Sequence, residues 1–186
     1  METPVIFIHG LASNRREFIP IMHFLEKNGI KNYYEFTYVD RLGEIPLAEI
    51  AKKLAVFLSK VREKKVNIVA ISQGGVIARY YLQNLRNKVV EKCITLCSPH
   101  HGSLMACLLH RPGIKDLRPW SKFLRELREN SDVKFYCVYT PFDGVVFPGW
   151  SGKLKGAKNF MVWAWMHQLA FVSPRTLRFI FNSLIE

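Results

Sequence analysis

A serine that attacks a carbonyl carbon must sit on a tight turn that presents its hydroxyl clear of the backbone. The residues two before and two after it must be small enough to let the chain pass close by. Val66-Asn67-Ile68-Val69-Ala70-Ile71-Ser72-Gln73-Gly74-Gly75 has that form: an apolar strand-like run leads into Ser72, and Ala70 and Gly74 occupy the two small positions. A helical pattern from Val76 to Leu85 follows. Ser72 is therefore the candidate nucleophile. Attack creates an oxyanion, which hydrolases with this arrangement stabilise with two backbone N–H groups, one from the residue after the nucleophile and one from a loop after an earlier strand. Gln73 holds the first position. Leu11 holds the second, at the end of Val5-Ile6-Phe7-Ile8-His9-Gly10-Leu11. Because both donors are main-chain groups, the side chains there are expected to matter little.

The serine needs a base, and the base an orienting acid; where the serine sits on such a strand-to-helix turn they follow in the order Ser, acid, His. His9 and His23 precede Ser72, while His100, His101 and His110 fall in an irregular stretch from Ser98 to Pro119. That leaves His167, just beyond the last strand-like run. The acid must then lie between Ser72 and His167, at the carboxyl end of a strand. Asp132 and Glu91 stand at the amino ends of strand-like runs, and Asp116, Glu126 and Glu129 fall in loop or helix patterns. Asp143, four residues after Tyr139, has the required place.

The elements that must position these groups are legible as periodicities. Apolar runs recur at Val5 to Ile8, Tyr33 to Val39, Val66 to Ile71, Val90 to Cys97, Val133 to Tyr139 and Asn159 to Ala164. Several are apolar at nearly every position, the mark of strands covered on both faces. Between them, Phe18, Ile19, Met22 and Leu25 form a helical stripe ended by Asn28-Gly29, and Leu47, Ile50, Ala51, Leu54 and Leu58 form another. Further helices are expected at Trp120 to Leu127 and at Leu177 to Leu184, the latter opened by Ser173-Pro174. Alternation of strand and helix predicts an α/β three-layer sandwich with about six mostly parallel strands. No repeat or linker interrupts it, so residues 1–186 are expected to form a single domain.

Composition excludes several classes. With 49% hydrophobic and 23% charged residues, the chain is neither disordered nor fibrous. The excess of 27 Lys and Arg over 15 Asp and Glu, a net charge of +12, suits polyanions in general. No helix-turn-helix, zinc-finger or RNA-recognition pattern accompanies it, so no nucleic-acid partner is expected. For a lipid esterase, the charge would favour anionic lipid interfaces or acidic products. Apolar runs are too short to span a bilayer. Met1-Glu2-Thr3-Pro4 leads straight into the first strand without a signal-peptide pattern, which predicts a cytoplasmic protein, or a secreted one whose signal has been removed. Cys93, Cys97, Cys107 and Cys137 are too sparse to staple the chain and are expected to pack as small apolar residues. A zinc grouping of Cys93, Cys97, His100 and His101 matches no usual ligand spacing, and no metal or cofactor is expected.

Taken together, His9-Gly10, Ala70-x-Ser72-x-Gly74-Gly75, the segment from Thr95 through Pro99-His100-His101-Gly102 to Ser103, the Asp143 turn and His167 resemble the small bacterial α/β-hydrolase lipases and esterases of the Bacillus lipase A type, over essentially the whole chain. The resemblance implies a minimal fold without a large lid, in which alanine at the first small position of the elbow is usual. Two residues depart from it: Cys97 stands where glycine is common, and Gln73 where methionine is frequent.

These readings converge on a serine carboxylic-ester hydrolase, a lipase or esterase with Ser72, Asp143 and His167 as its triad and small esters or lipids as substrates; the sequence leaves its oligomeric state open, with a monomer as the expectation. A thioesterase or acyltransferase would use the same groups, and a silent hydrolase-like binding module is the non-enzymatic alternative. Phe142, Phe147, Trp150, Trp163, Trp165 and Met166, with Leu104, Met105, Leu108 and Leu109, read as core residues or as walls of an acyl pocket. His100 and His101 read as turn and packing residues.

Overall fold

The computed structural model describes residues 3–12, 15–128 and 132–186. Six strands, β1 (Val5–Ile8), β2 (Tyr33–Phe36), β3 (Lys65–Ile71), β4 (Val89–Leu96), β5 (Lys134–Tyr139) and β6 (Lys158–Met161), form one sheet in the order β2-β1-β3-β4-β5-β6. Every neighbouring pair is parallel. Among the described residues, α1 (Ile19–Lys27), α2 (Leu47–Ser59), α3 (Gln73–Asn84), α4 (Pro112–Asp116) and α5 (Lys122–Arg125) lie between strands, and α6 (His167–Val172) and α7 (Pro174–Ile185) follow β6.

Parallel strands need crossovers, and the helices of those crossovers bury both faces of the sheet. Along β1, Ile6 and Ile8 enter the core built with α2 and α3, whereas Val5 and Phe7 enter the core built with α1, α6 and α7. Along β3, Val66, Ile68 and Ala70 face the first core and Val69 and Ile71 the second. This two-residue alternation between two apolar layers explains why the strands read as unbroken apolar runs. The predicted stripe Leu47, Ile50, Ala51, Leu54 and Leu58 is the buried face of α2, each large side chain there contributing about 1.5–3 kcal/mol by burial. At α7, Ser173 Oγ accepts the Thr176 N–H at 3.1 Å, a cap that offsets one orphan donor of the first turn. Helix α1 ends where Gly29 takes φ +94°, a left-handed conformation that costs glycine little.

Local departures have local causes. The last strand ends at Met161 instead of Ala164: after Val162 donates to Tyr139 O at 2.9 Å, the chain leaves the sheet and Ala164 pairs with the side chain of Thr140. The helix expected from Trp120 to Leu127 is only Lys122–Arg125, capped by Ser121 Oγ accepting from Leu124 N at 3.1 Å. The irregular stretch Ser98 to Pro119 contains a 3₁₀ turn at Leu104–Cys107 and α4.

Strand order reverses direction between β1 and β3: the chain first steps outward to β2, then returns past β1. In open parallel sheets, the crevice beyond the carboxyl ends at such a point is where ligands bind. The loop carrying Leu11 leaves β1 there, and Ser72 leaves β3 beside it.

Candidate active site

Ser72 adopts φ 53° and ψ −125°, a region that costs a non-glycine residue on the order of 1–3 kcal/mol and persists only when its surroundings enforce it. Here Ser72 N donates to Leu96 O of β4 at 2.8 Å, and Ser72 O accepts from Gly75 N at 3.1 Å. A Cβ on Gly74 would lie 2.5 Å from Ile8 O and 2.7 Å from His9 O. Both are main-chain atoms that cannot swing away. The small residue after the serine is thus demanded by the neighbouring strand β1, and its absence of a side chain brings the Leu11 loop against the elbow. Gln73 opens α3, so its N–H belongs to the partially positive end of a 12-residue helix. Among the described residues, neither Leu11 N nor Gln73 N donates a hydrogen bond, and both residues line one cavity with Ser72.

A buried network ties the two halves of this cradle together. His9 Nε2 accepts the Tyr38 N–H at 3.2 Å, so its Nδ1 carries the proton and donates to Gly10 O at 2.9 Å. Its ring stacks on Tyr38 with centroids 4.1 Å apart and planes 13° apart. Burial lowers the His9 pKa and keeps the ring neutral. Tyr38 Oη donates to His9 O at 3.1 Å and accepts from Gln73 Nε2 at 3.0 Å. Where the sequence reading assigned the Gln73 side chain no part, the structure buries it and links the elbow to the His9-Gly10 loop through Tyr38. Sequence reasoning missed Tyr38, which reads simply as one more aromatic residue in a strand-like run; its role arises from the crossover at β1.

At the other end of the site, Asp143 and His167 are brought together. Asp143 Oδ1 accepts from Val145 N at 2.9 Å and Val146 N at 2.8 Å, while Oδ2 lies 2.6 Å from His167 Nδ1. With a carboxylate facing Nδ1, the neutral ring carries its proton there and leaves Nε2 as the acceptor. Nε2 is buried with no hydrogen-bond partner among the described residues. The ring rests edge-on against Phe171, centroids 4.8 Å apart. Thr140 clamps the two loops: its Oγ1 donates to Ala164 O at 2.8 Å and accepts from Ala164 N at 3.3 Å. Ser72 shares its cavity with Val145 and Val146, the residues whose amides hold Asp143. Ser72 Oγ and His167 Nε2 make no direct hydrogen bond among the described residues; catalytic contacts of this kind tighten on substrate binding.

Cys97, also at positive φ (47°), places its sulfur within 4.8 Å of ligand-type atoms of Asp143 and His167. Desolvation, followed by the Asp143 charge and a hydrogen bond to Asp143, raises the thiol pKa well above its usual value. It stays protonated beside the carboxylate. The grouping of Cys93, Cys97, His100 and His101 does not come together: His100 Nε2 pairs with Thr95 Oγ1 at 3.0 Å, and burial lowers its pKa well below the ordinary histidine value. Asp132 pairs with Arg86 at 2.8 Å on the surface and Glu91 with Lys65 at 2.8 Å. Glu129 lies outside the described residues.

The cavity beside Ser72 has a volume of about 170 Å³ and apolar walls that include Met105, Ala106, Leu109, Ile114 and Val146. It is smaller than the roughly 300–1,000 Å³ of most small-molecule sites. The large apolar residues near the site correct the sequence reading. Phe142, Phe147, Trp150, Trp163, Trp165, Met166, Leu104 and Leu108 are neither core nor wall but exposed, and only Met105 and Leu109 of that set line the cavity.

The palmitoyl protein thioesterase family pattern matches residues 4–142. The chain belongs to this family. It is 30% identical over 105 residues to a lysosomal thioesterase of Xenopus laevis, a match covering 53% of this chain and 36% of that protein. The chain thus spans little more than a third of that relative. Among solved structures, a Bacillus licheniformis lipase in its mature form superposes with a TM-score of 0.81 at 19% identity, covering 98% of this chain and 92% of that one. An Aspergillus fumigatus lipase gives a TM-score of 0.86 at 18% identity, covering 100% and 53%. These likenesses show the α/β-hydrolase fold.

Proposed function

We propose that the chain is a serine acyl hydrolase that cleaves thioesters and carboxylic esters of apolar acyl groups. The observations that carry this reading are the buried Asp143–His167 pair, with Nε2 left as a free acceptor, and a serine on a strained strand-to-helix turn whose cavity is also lined by Val145 and Val146, the residues that hold Asp143. In this mechanism Ser72 Oγ attacks the acyl carbonyl and His167 Nε2 takes its proton. The Leu11 and Gln73 N–H groups stabilise the oxyanion, each worth about 3–4 kcal/mol. His167 then protonates the leaving thiolate or alkoxide, and water, activated in turn by His167, releases the acid.

Family membership favours the thioester as substrate over the oxygen ester that the motifs alone bring first to mind. The cavity takes a short acyl group, or the carbonyl end of a longer one whose remainder runs out past Met105 and Leu109. The test is hydrolysis of matched p-nitrophenyl esters and acyl thioesters of short, medium and long chain by wild type and by Ser72→Ala, with fluorophosphonate labelling of Ser72. Turnover and labelling by wild type alone support the reading. Silence of two folded proteins toward both series, with Ser72 unlabelled, refutes it.

A further inference from the structure

The chain has four tryptophans, and all four are exposed: Trp120 58%, Trp150 62%, Trp163 63% and Trp165 78%. Each lies in a segment that follows the carboxyl end of a strand, the end that carries Ser72, Asp143 and His167. Two of them form a preassembled platform: Phe142 stacks on Trp165 with centroids 4.7 Å apart and planes 17° apart, and packs on Trp163 at 5.4 Å. Phe142 directly precedes Asp143, and Trp165 lies two residues before His167. Met105, Leu109 and Val145 continue the apolar surface inward, since each is both exposed and part of the wall of the cavity beside Ser72. Chains of this size rarely leave so much aromatic surface in water without a use for it.

Charge in the segments on this end is mostly basic, although Arg111 pairs with Glu44 at 2.6 Å. Between Ser98 and Arg128 there are six Lys and Arg residues against Asp116 and Glu126, and between Pro141 and Gly156 Lys153 and Lys155 against Asp143. None of these three acids presents a free surface charge. Asp143 is buried on His167, Asp116 Oδ2 accepts the Leu47 N–H at 2.9 Å, and Glu126 faces Lys122 at 3.8 Å. Tryptophan rings prefer the boundary between headgroups and acyl chains, and basic side chains around them are drawn to anionic headgroups.

We propose that the aromatic and basic face around the mouth of the site docks this protein onto anionic lipid bilayers, so that a membrane-embedded acyl chain reaches the cavity without crossing water. Its purpose rests on the acyl-hydrolase reading; the docking itself does not. Two features set the orientation: the platform enters the boundary region, and the basic segments flank it at headgroup level.

The test is co-sedimentation with phosphatidylcholine vesicles, with and without phosphatidylglycerol, using wild type, Ser72→Ala and the double variant Trp163→Ser/Trp165→Ser, each matched for melting temperature. Wild type and Ser72→Ala should bind the anionic vesicles equally, with a blue shift of tryptophan emission. Binding should fall at least about tenfold on neutral vesicles, in high salt and in the double variant. Single variants Trp163→Ser and Trp165→Ser serve if the double variant does not fold. Absence of vesicle binding, binding indifferent to phosphatidylglycerol, or binding unchanged by the tryptophan substitutions would overturn the proposal, as would a stable dimer that buries this face. If vesicles bind but neither ester series is cleaved, the function falls and the docking stands; the reverse outcome separates them equally.

Discussion

Asp143→Asn isolates orientation of the base from its presence. Because Asp143 Oδ1 accepts two amides, from Val145 and Val146, an asparagine must keep its carbonyl oxygen on that side. Its NH₂ then takes the place of Oδ2, 2.6 Å from His167 Nδ1. An amide NH₂ can only donate, so His167 Nδ1 must become the acceptor and the ring proton moves to Nε2. The base is then in the wrong tautomer to receive the serine proton. Loss of kcat should reach about 10⁴-fold, about 5.5 kcal/mol of transition-state stabilisation, the size seen when the same substitution inverts the tautomer in other triads. Melting should change little, since both amides stay satisfied and no cavity opens. The assay is steady-state hydrolysis of the best substrate in the thioester and ester series, with thermal melts in parallel and Asp132→Asn as control. Asp132 is a surface partner of Arg86, and its variant should match wild type. A loss in Asp143→Asn below about tenfold, or a collapse in Asp132→Asn instead, would refute the assignment of the acid.

Other substitutions probe the supports. Tyr38→Phe leaves Gln73 Nε2 and His9 O without their buried partner, and should cost about 1–3 kcal/mol of stability and lower kcat more than it raises KM, read by melting and kinetics. Thr140→Val keeps the shape but unpairs Ala164 N–H and C=O; a similar stability loss with a kcat defect is expected, whereas unchanged kcat would show that the clamp does not position His167. Acid stability follows from His9 and His100, whose folded pKa values lie below the ordinary value near 6.5. Their contribution is complete above about pH 6.5 and is lost as pH falls below it, each with a slope approaching 1.4 kcal/mol per unit, because the unfolded chain binds the protons that the folded one refuses. Melting temperatures between about pH 7.5 and 5.5 should fall, and His100→Gln should flatten the dependence; an equal slope in the variant would argue against the burial account.

The local patterns carried most of the architecture. Six apolar runs separated by helical stripes require a parallel sheet covered on both faces, and the stripe from Leu47 to Leu58, the Ser173-Pro174 start and the Asn28-Gly29 stop are all short-range facts of spacing and capping. Ser72, Asp143 and His167 were legible for a related reason: each follows a strand at its carboxyl end, and parallel crossovers bring those ends to one edge. Tertiary structure alone decided the rest, wherever a residue's meaning depends on a neighbour distant in the chain. Gly74 is small because the carbonyls of Ile8 and His9 approach within 2.7 Å of where its Cβ would lie. Gln73 matters because Tyr38 crosses above it, and Thr140 because the last strand peels away at Met161. Trp150, Trp163 and Trp165 read from the sequence as core residues or walls of an acyl pocket. They lie in connecting segments outside the sheet, where the chain's course leaves them exposed.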